Sequence, residues 1–448
     1  MWGRRTVFTL LTFLLLAGAG WPVSAAKLDH PLPVIFVHGD SDTAGLWIAQ
    51  IWRFESNGYP RDRLFAIDLD HPGAGSDDNV REENRSTTTD VAAQLAGFVA
   101  RVMLQTGSDK VVLVGNSRGC STIRNYVQNA GGAPNAALLV LTGCVNHGVY
   151  SAPGVRMGSE YNGAGAFLSK LNAVFEVVPG LPTVTLRSDK FDKYAQPTGE
   201  WIGQPGKPTG ISYDAPALRG AMNIVLPGVD HRETAYSPAA FAEMHKVIAG
   251  HAPSTTEVVA EDAPILDGEV SGWANARPTN LPLVGARLAV YATDPETGER
   301  LGGPVHEKVI GADGRWGPFA AEPDQPYEFV IAAEGYSMHH VYRSPFPRSS
   351  DVVNLRLYPA AEAPDGAAAA VGMMRPRGYF GGQRDEIEFN GEPAAGIPDS
   401  EVPGVWKTTF AADTAEPQTV VGRFNGETIA ARTWPAAENH VVWIELTY

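Results

Sequence analysis

The sequence predicts an α/β fold: a mostly parallel sheet with helices on both faces, followed by two small all-β segments of sandwich or barrel type. Three observations lead there. From Lys27 to about His251, short continuous apolar runs alternate with stretches of helical period, the pattern of strands buried on both faces and joined by helices. After Ile265 the texture becomes short alternating runs broken by turn signals such as Asp294-Pro295-Glu296-Thr297-Gly298 and Ala312-Asp313-Gly314, which is an all-β pattern. At 448 residues, the chain is also too long for one ordinary domain.

Taken in order, residues 1–25 read as a secretory signal peptide. Arg4-Arg5 forms a basic start, Thr6 to Gly20 an apolar run, and Val23-Ser24-Ala25 a small-residue cleavage site. The run is short for a membrane span. A twin-arginine signal is the alternative export route. The catalytic-type region is expected over 27–252. Its strands are Pro33–Val37, Leu64–Asp68, Lys110–Val114, Ala137–Leu141, Leu181–Leu186 and Met222–Leu226; its helices include Thr87–Leu104, Ser117–Asn129 and Ser237–Ile248. A linker is expected over 253–264, a first β segment over 265–358, and a second over 371–448 beyond an Ala/Pro-rich stretch from Pro359 to Ala370. His440 to Leu446 is its clearest strand.

Net charge is −15. An acidic chain with diffuse charge makes a poor nucleic-acid binder and suits neutral or apolar substrates. No metal cluster, phosphate loop or cofactor motif stands out; Gly73-Ala74-Gly75 lacks the third glycine and helix start of a dinucleotide site. Secretion, or residence in a periplasm, makes a disulfide between the two cysteines, Cys120 and Cys144, admissible; two buried free thiols are the alternative.

The chemistry centres on Gly115-Asn116-Ser117-Arg118-Gly119. A G-x-S-x-G alone is weak. Here a strand precedes it and a helix follows, the context of a nucleophile elbow that holds the serine hydroxyl above the sheet edge. The plainer role for Ser117 is a helix N-cap. A serine nucleophile needs a base, and the base an orienting acid. These follow the serine in the order acid, then histidine. Of the eleven histidines, His231 alone sits on a loop just past the last strand with acids before it. Asp189 and Asp192 both follow the preceding strand. The oxyanion donors expected are the N–H of Arg118 and that of Asp40, with Ser41 as the alternative to Asp40. An acid at position 40 is unfavourable beside a developing oxyanion unless it turns away or is paired. His38 is expected to be structural.

Several stretches together resemble the α/β-hydrolase lipases and esterases, nearest to archaeal-type long-chain-ester lipases with a C-terminal β-domain: Phe36-Val37-His38-Gly39, Arg53 to Pro60, the 115–119 motif, Asn146-His147-Gly148, Tyr161-Asn162-Gly163 and Asp230-His231-Arg232-Glu233-Thr234. They span most of residues 33 to 250. In lipases and related hydrolases an acid five residues before a proline recurs in the acid loop, and Asp192 with Pro197 matches it. The resemblance implies ester hydrolysis through an acyl-enzyme, without a cofactor, with Ser117, Asp192 and His231 as the triad and Asp40 and Arg118 at the oxyanion. Asn116, where histidine is common, and Asp40, where an uncharged residue is usual, depart from that pattern. Residues 283–287, 313–316, Tyr327 and Gly335-Tyr336 loosely resemble transthyretin-like carboxypeptidase-regulatory modules.

The expected partner is an apolar ester or lipid, with no nucleic acid. The insertions at 149–180 and 197–218 are expected to form a cap over an acyl channel. Trp273, Trp316, Trp406 and Tyr336 are either core or a lipid, carbohydrate or polymer surface. Polymer or amide hydrolysis, or binding on a dead hydrolase scaffold, are the rival functions.

Overall fold

The computed structural model describes residues 31–358 and 366–448; the expected signal segment 1–25 lies outside the described residues, as does most of the Ala/Pro-rich stretch. Six strands form one parallel sheet: β1 (Val34–Val37), β2 (Leu64–Ile67), β3 (Val111–Asn116), β4 (Ala136–Thr142), β5 (Thr183–Ser188) and β6 (Met222–Leu226). Each lies within two residues of the run expected from sequence. Their order is β2-β1-β3-β4-β5-β6, so the winding reverses between β1 and β3. The crevice beyond the strand ends at such a reversal is where open α/β sheets place their ligands. Gly39 and Asp40 leave β1 there, and Ser117 leaves β3.

Helices cover both faces. They are α1 (Ile48–Ser56), α2 (Thr88–Thr106), α3 (Arg118–Asn129), α4 (Ala166–Leu171), α5 (Glu233–Tyr236) and α6 (Pro238–Ala249). Alternate strand residues divide between them: Val34, Phe36, Val112 and Val114 pack towards α1 and α6, and Ile35, Val37, Val111 and Leu113 towards α2 and α3. This is the period-two division of a doubly covered sheet. α2 starts on a capping box, Thr87 with Asp90, and ends on Gly107 in the left-handed region. The short α1 is an addition to the expected elements. It has no free polar face, because the linker and the β-rich region pack on its outer side: Trp52 Nε1 donates to Ser349 O (2.9 Å) and Arg53 Nε to Thr256 O (2.8 Å).

In the β-rich region, strands from both expected segments share a sheet. One seven-stranded sheet takes its strands in the order His306–Val309, Arg287–Ala292, Tyr327–Ala332, Met338–Arg343, His440–Glu445, Ala369–Met374, Lys407–Ala412. The last strand of the chain lies between one strand from each segment and runs parallel to both. The division between 358 and 371 is therefore a break in composition, not in hydrogen bonding. His440–Glu445 buries Val441, Val442 and Ile444, and an apolar strand leaves neither edge open if it can be flanked on both sides. The apolar core also runs without a break from the parallel sheet through α1 to Leu266, Val270, Trp316, Phe329 and Val353. Trp316 is core, with its Nε1 on Val353 O (2.9 Å), and the Tyr336 hydroxyl bonds the backbone of Trp273.

Candidate active site

Ser117 stands between β3 and α3 with φ 54° and ψ −118°, a backbone that costs an L residue energy and persists only where its surroundings hold it. Two glycines allow it. A Cβ on Gly119 would lie 2.4 Å from Val37 O, and one on Gly115 would lie 2.7 Å from Ile123 Cδ1. The Ser117 side chain caps nothing on α3, so the N-cap role is not realised. A disulfide joins Cys120, in the first turn of α3, to Cys144 just past β4.

Beside the elbow, His231 and Asp192 are both buried. His231 Nδ1 lies 2.9 Å from each Asp192 carboxylate oxygen. Nδ1 thus carries the proton, and Nε2 is left as the free lone pair. That Nε2 is buried and has no partner among the described residues. His231 and Ser117 both line a cavity of about 570 Å³. Asp192 is further held by the N–H of Tyr194 (2.8 Å), whose ring meets the imidazole edge-on at 4.6 Å. Asp189 stays away from the imidazole: its carboxylate accepts from the N–H groups of Phe191 (3.1 Å) and Gly228 (3.1 Å), and so shapes the two loops. Asn116 spans the distance between elbow and histidine loop, its Nδ2 within 3.1 Å of Thr142 O and 3.4 Å of His231 O.

On the β1 side the acid at position 40 is paired. Asp40 accepts from Ser41 Oγ (2.7 Å), the N–H of Ala74 (3.0 Å) and the Tyr161 hydroxyl. Burial, then the Asp40 and Glu160 charges, raise the Tyr161 pKa well above the ordinary tyrosine value, so Tyr161 remains a donor. Ser41 spends its backbone N–H on Pro72 O (3.1 Å), while among the described residues the N–H groups of Asp40 and Arg118 have no acceptor. The Arg118 guanidinium is directed elsewhere: it pairs with Glu160 and donates to Pro72 O and to Ser86. His38 is structural, its ring held between Gly39 O (2.8 Å) and the N–H of Leu69 (3.1 Å).

Residues 31–156 match the family model Lipase (class 2), and residues 266–359 match the model Lipase C-terminal domain. The protein is a carboxylic ester hydrolase. Its parallel-sheet region has the α/β-hydrolase fold. Solved structures similar to it include the product of the gene lin2722 from Listeria innocua, at 15% identity and TM-score 0.35 over 50% of this chain and 97% of that one. Lipase BlEst2 from Bacillus licheniformis shares 18% identity at TM-score 0.34 over 50% and 94%. Phospholipase PlaB from Legionella pneumophila shares 13% at TM-score 0.34 over 74% and 94%.

Two features of this hydrolase's site escaped the sequence reading. The histidine loop is clamped from the β-rich region: Arg375 donates to Asp230 (3.0 Å) and to Glu233 (2.5 Å), Arg384 to Glu233 (2.7 Å), and the N–H of Tyr379 to Asp230 (2.7 Å). The cavity wall is also shared: Val149, Tyr161 and Ile202 come from the insertions, Tyr379 and Trp406 from beyond residue 371. No local pattern marks Arg375 or Tyr379, because their partners lie more than 140 residues earlier in the chain.

Proposed function

We propose that the hydrolase is an exported serine esterase or lipase that cleaves esters of apolar acids, with Ser117, His231 and Asp192 as its triad. The observation that carries this reading is His231: Nδ1 bound to Asp192 at 2.9 Å, Nε2 buried and free, in the cavity that the strained Ser117 lines. Ser117 Oγ attacks the ester carbonyl while its proton passes to His231 Nε2. The Asp40 and Arg118 N–H groups hold the oxyanion, and their lack of other acceptors supports that role, as the spent N–H of Ser41 argues against the alternative. Collapse breaks the C–O bond, and the imidazolium returns the proton to the leaving alcohol. Water, deprotonated by His231, then cleaves the acyl-enzyme. Asp192 orients the imidazole and stabilises its charged form.

Val145, Val149 and Ile202 on the cavity wall support an apolar acyl group, and the resemblance to long-chain-ester lipases supports a long one. The Cys120–Cys144 disulfide supports export, since such bonds persist in oxidising compartments. The test is initial rates on p-nitrophenyl esters from two to sixteen acyl carbons, for the mature protein and Ser117→Ala. Activity confined to the wild type is the expected outcome. Equal activity in both would remove Ser117 from the mechanism. Failure of both proteins, together with no labelling by a fluorophosphonate, would favour the dead-scaffold rival.

A further inference from the structure

A second cavity, of about 410 Å³, adjoins the first between the parallel-sheet region and the β-rich region. Asp40, Ser41, Asp42, Arg85, Arg232 and Trp406 line both, so the two cavities share a wall. Its walls do not suit an acyl chain. Six arginines line it against three acids, and one of the six, Arg85, is paired with Glu82 (3.2 Å). The acids are already engaged: Glu445 with Arg343 (3.3 Å) and Arg377 (3.7 Å), Asp42 with Arg232 (3.5 Å), and Asp40 with its three donors. Arg356 donates to Ser41 O, Asp42 O and the Asn280 side chain, which satisfies hydrogen bonds without neutralising charge. Arg277 has no acidic partner among the described residues.

Four buried side-chain atoms belonging to residues of this lining lack a hydrogen-bond partner among the described residues: Arg343 Nε, Arg356 Nε, Trp273 Nε1 and Trp443 Nε1. All four are donors. Arg343 is almost wholly buried, and an unpaired buried donor costs free energy unless something accepts from it. Tyr358 gathers the rings around the space, its centroid 6.1 Å from Trp273, 6.1 Å from Trp406 and 5.7 Å from Trp443. In a chain of net charge −15, a cavity rich in cationic donors beside the nucleophile is a marked local reversal.

We propose that this cavity binds an anionic group, a phosphate or carboxylate, carried by the ester substrate away from the scissile bond. The hydrolase is then selective for anionic amphiphiles over neutral acylglycerols. The proposal rests on the ester-hydrolase reading of the Ser117 site and adds the substrate's second recognition point. Oxyanions accept from several donors at once and match arginine forks; the aromatic rings wall the group off from water and strengthen those bonds.

The test uses two matched pairs at low salt: 1-decanoylglycerol 3-phosphate against 1-decanoylglycerol, and mono-p-nitrophenyl adipate against p-nitrophenyl hexanoate. In at least one pair kcat/KM for the anionic ester exceeds that of its neutral partner by about tenfold or more, the scale of one charge-assisted bond. The favoured pair tells phosphate from carboxylate. Arg277→Glu, at an exposed position, and Trp443→Phe, which removes one donor, each lower that ratio several-fold, and so does high salt. A ratio at or below one in both pairs, or a ratio unmoved by both variants, overturns the proposal while leaving the ester-hydrolase reading intact. If no ester is cleaved, that reading fails instead, and tryptophan fluorescence of Ser117→Ala titrated with butyl phosphate against butanol still decides the cavity. Saturable quenching by butyl phosphate alone upholds it; equal responses sink it.

Discussion

The elbow at Ser117 and the loop at His231 face one cavity but are held in opposite ways. The elbow is a local object. Gly115, Gly119 and the first turn of α3 lie within four residues of Ser117, and the strain at φ 54° is contained by β1 and β3. The His231 loop is anchored from far away. Its flanking acids, Asp230 and Glu233, are satisfied by Arg375 and Arg384 of the β-rich region. One half of the site is therefore a property of a strand–turn–helix, and the other exists only when the C-terminal region has docked. The β-rich region thus shapes the cavity that Ser117 and His231 share and is more than an appendage.

The largest effect expected is at the elbow. Gly119→Ala forces a Cβ to 2.4 Å from Val37 O and 2.8 Å from His38 O, both backbone atoms that cannot step aside. It should cost about 4 kcal/mol or more, visible as loss of soluble folded protein by circular dichroism. A tolerated, fully active Gly119→Ala would break the idea of a tightly held turn.

The distant anchor comes next. Arg375→Met leaves Asp230 and Glu233 buried with one guanidinium in place of two, and should cost about 3 kcal/mol in chemical denaturation. It should also slow fluorophosphonate labelling of Ser117, because the imidazole drifts. Arg423→Met, which breaks an exposed pair with Glu386, should change stability by less than about 1 kcal/mol and leave labelling alone. Equal effects would mean that the β-rich region merely covers the loop.

Removing the disulfide with Cys120→Ala and Cys144→Ala should cost about 3 kcal/mol, from the 24-residue separation of its ends. The loss should show as a lower midpoint in guanidinium chloride, and adding a reductant to the wild type should reproduce it. Asn116→Ala should cost about 1 kcal/mol and lower kcat more than it raises KM, since Asn116 joins the elbow to the histidine loop.

The smallest effect concerns Lys193, which donates to Gly404 O (2.8 Å) and lies over the rings of Tyr379 and Tyr194. Burial, then the Arg232 charge, press its pKa down to about 8, against the pull of Asp230 and Asp192. An unfolded lysine titrates near ~10.4. Between those two values the unfolded chain holds more protons, so this group's contribution to stability rises as pH climbs through that window and is least favourable below it. Lys193→Met should flatten that part of the stability–pH curve.

Much of the molecule was legible in the chain itself. Six apolar runs marked the six strands of the parallel sheet, because the inner strands, buried on both faces, need continuous hydrophobicity; the edge strand β6 carries an apolar run although Met222 and Val225 stay exposed. Gly115-x-Ser117-x-Gly119 marked the turn, because strand and helix approach too closely for side chains at its ends. The sequence alone determined these features, since their causes lie within a few residues. Tertiary structure decided the rest. It placed Asp192 rather than Asp189 against the imidazole, because Asp189 is consumed by the N–H groups of Phe191 and Gly228. It paired Asp40 with Tyr161 across 121 residues, so that the acid in this loop is hydrogen-bonded. It also joined the two β segments through the last strand of the chain and brought Arg375 to Asp230. Those contacts follow from which surfaces meet in three dimensions, and neither periodicity nor spacing along the chain carries that information.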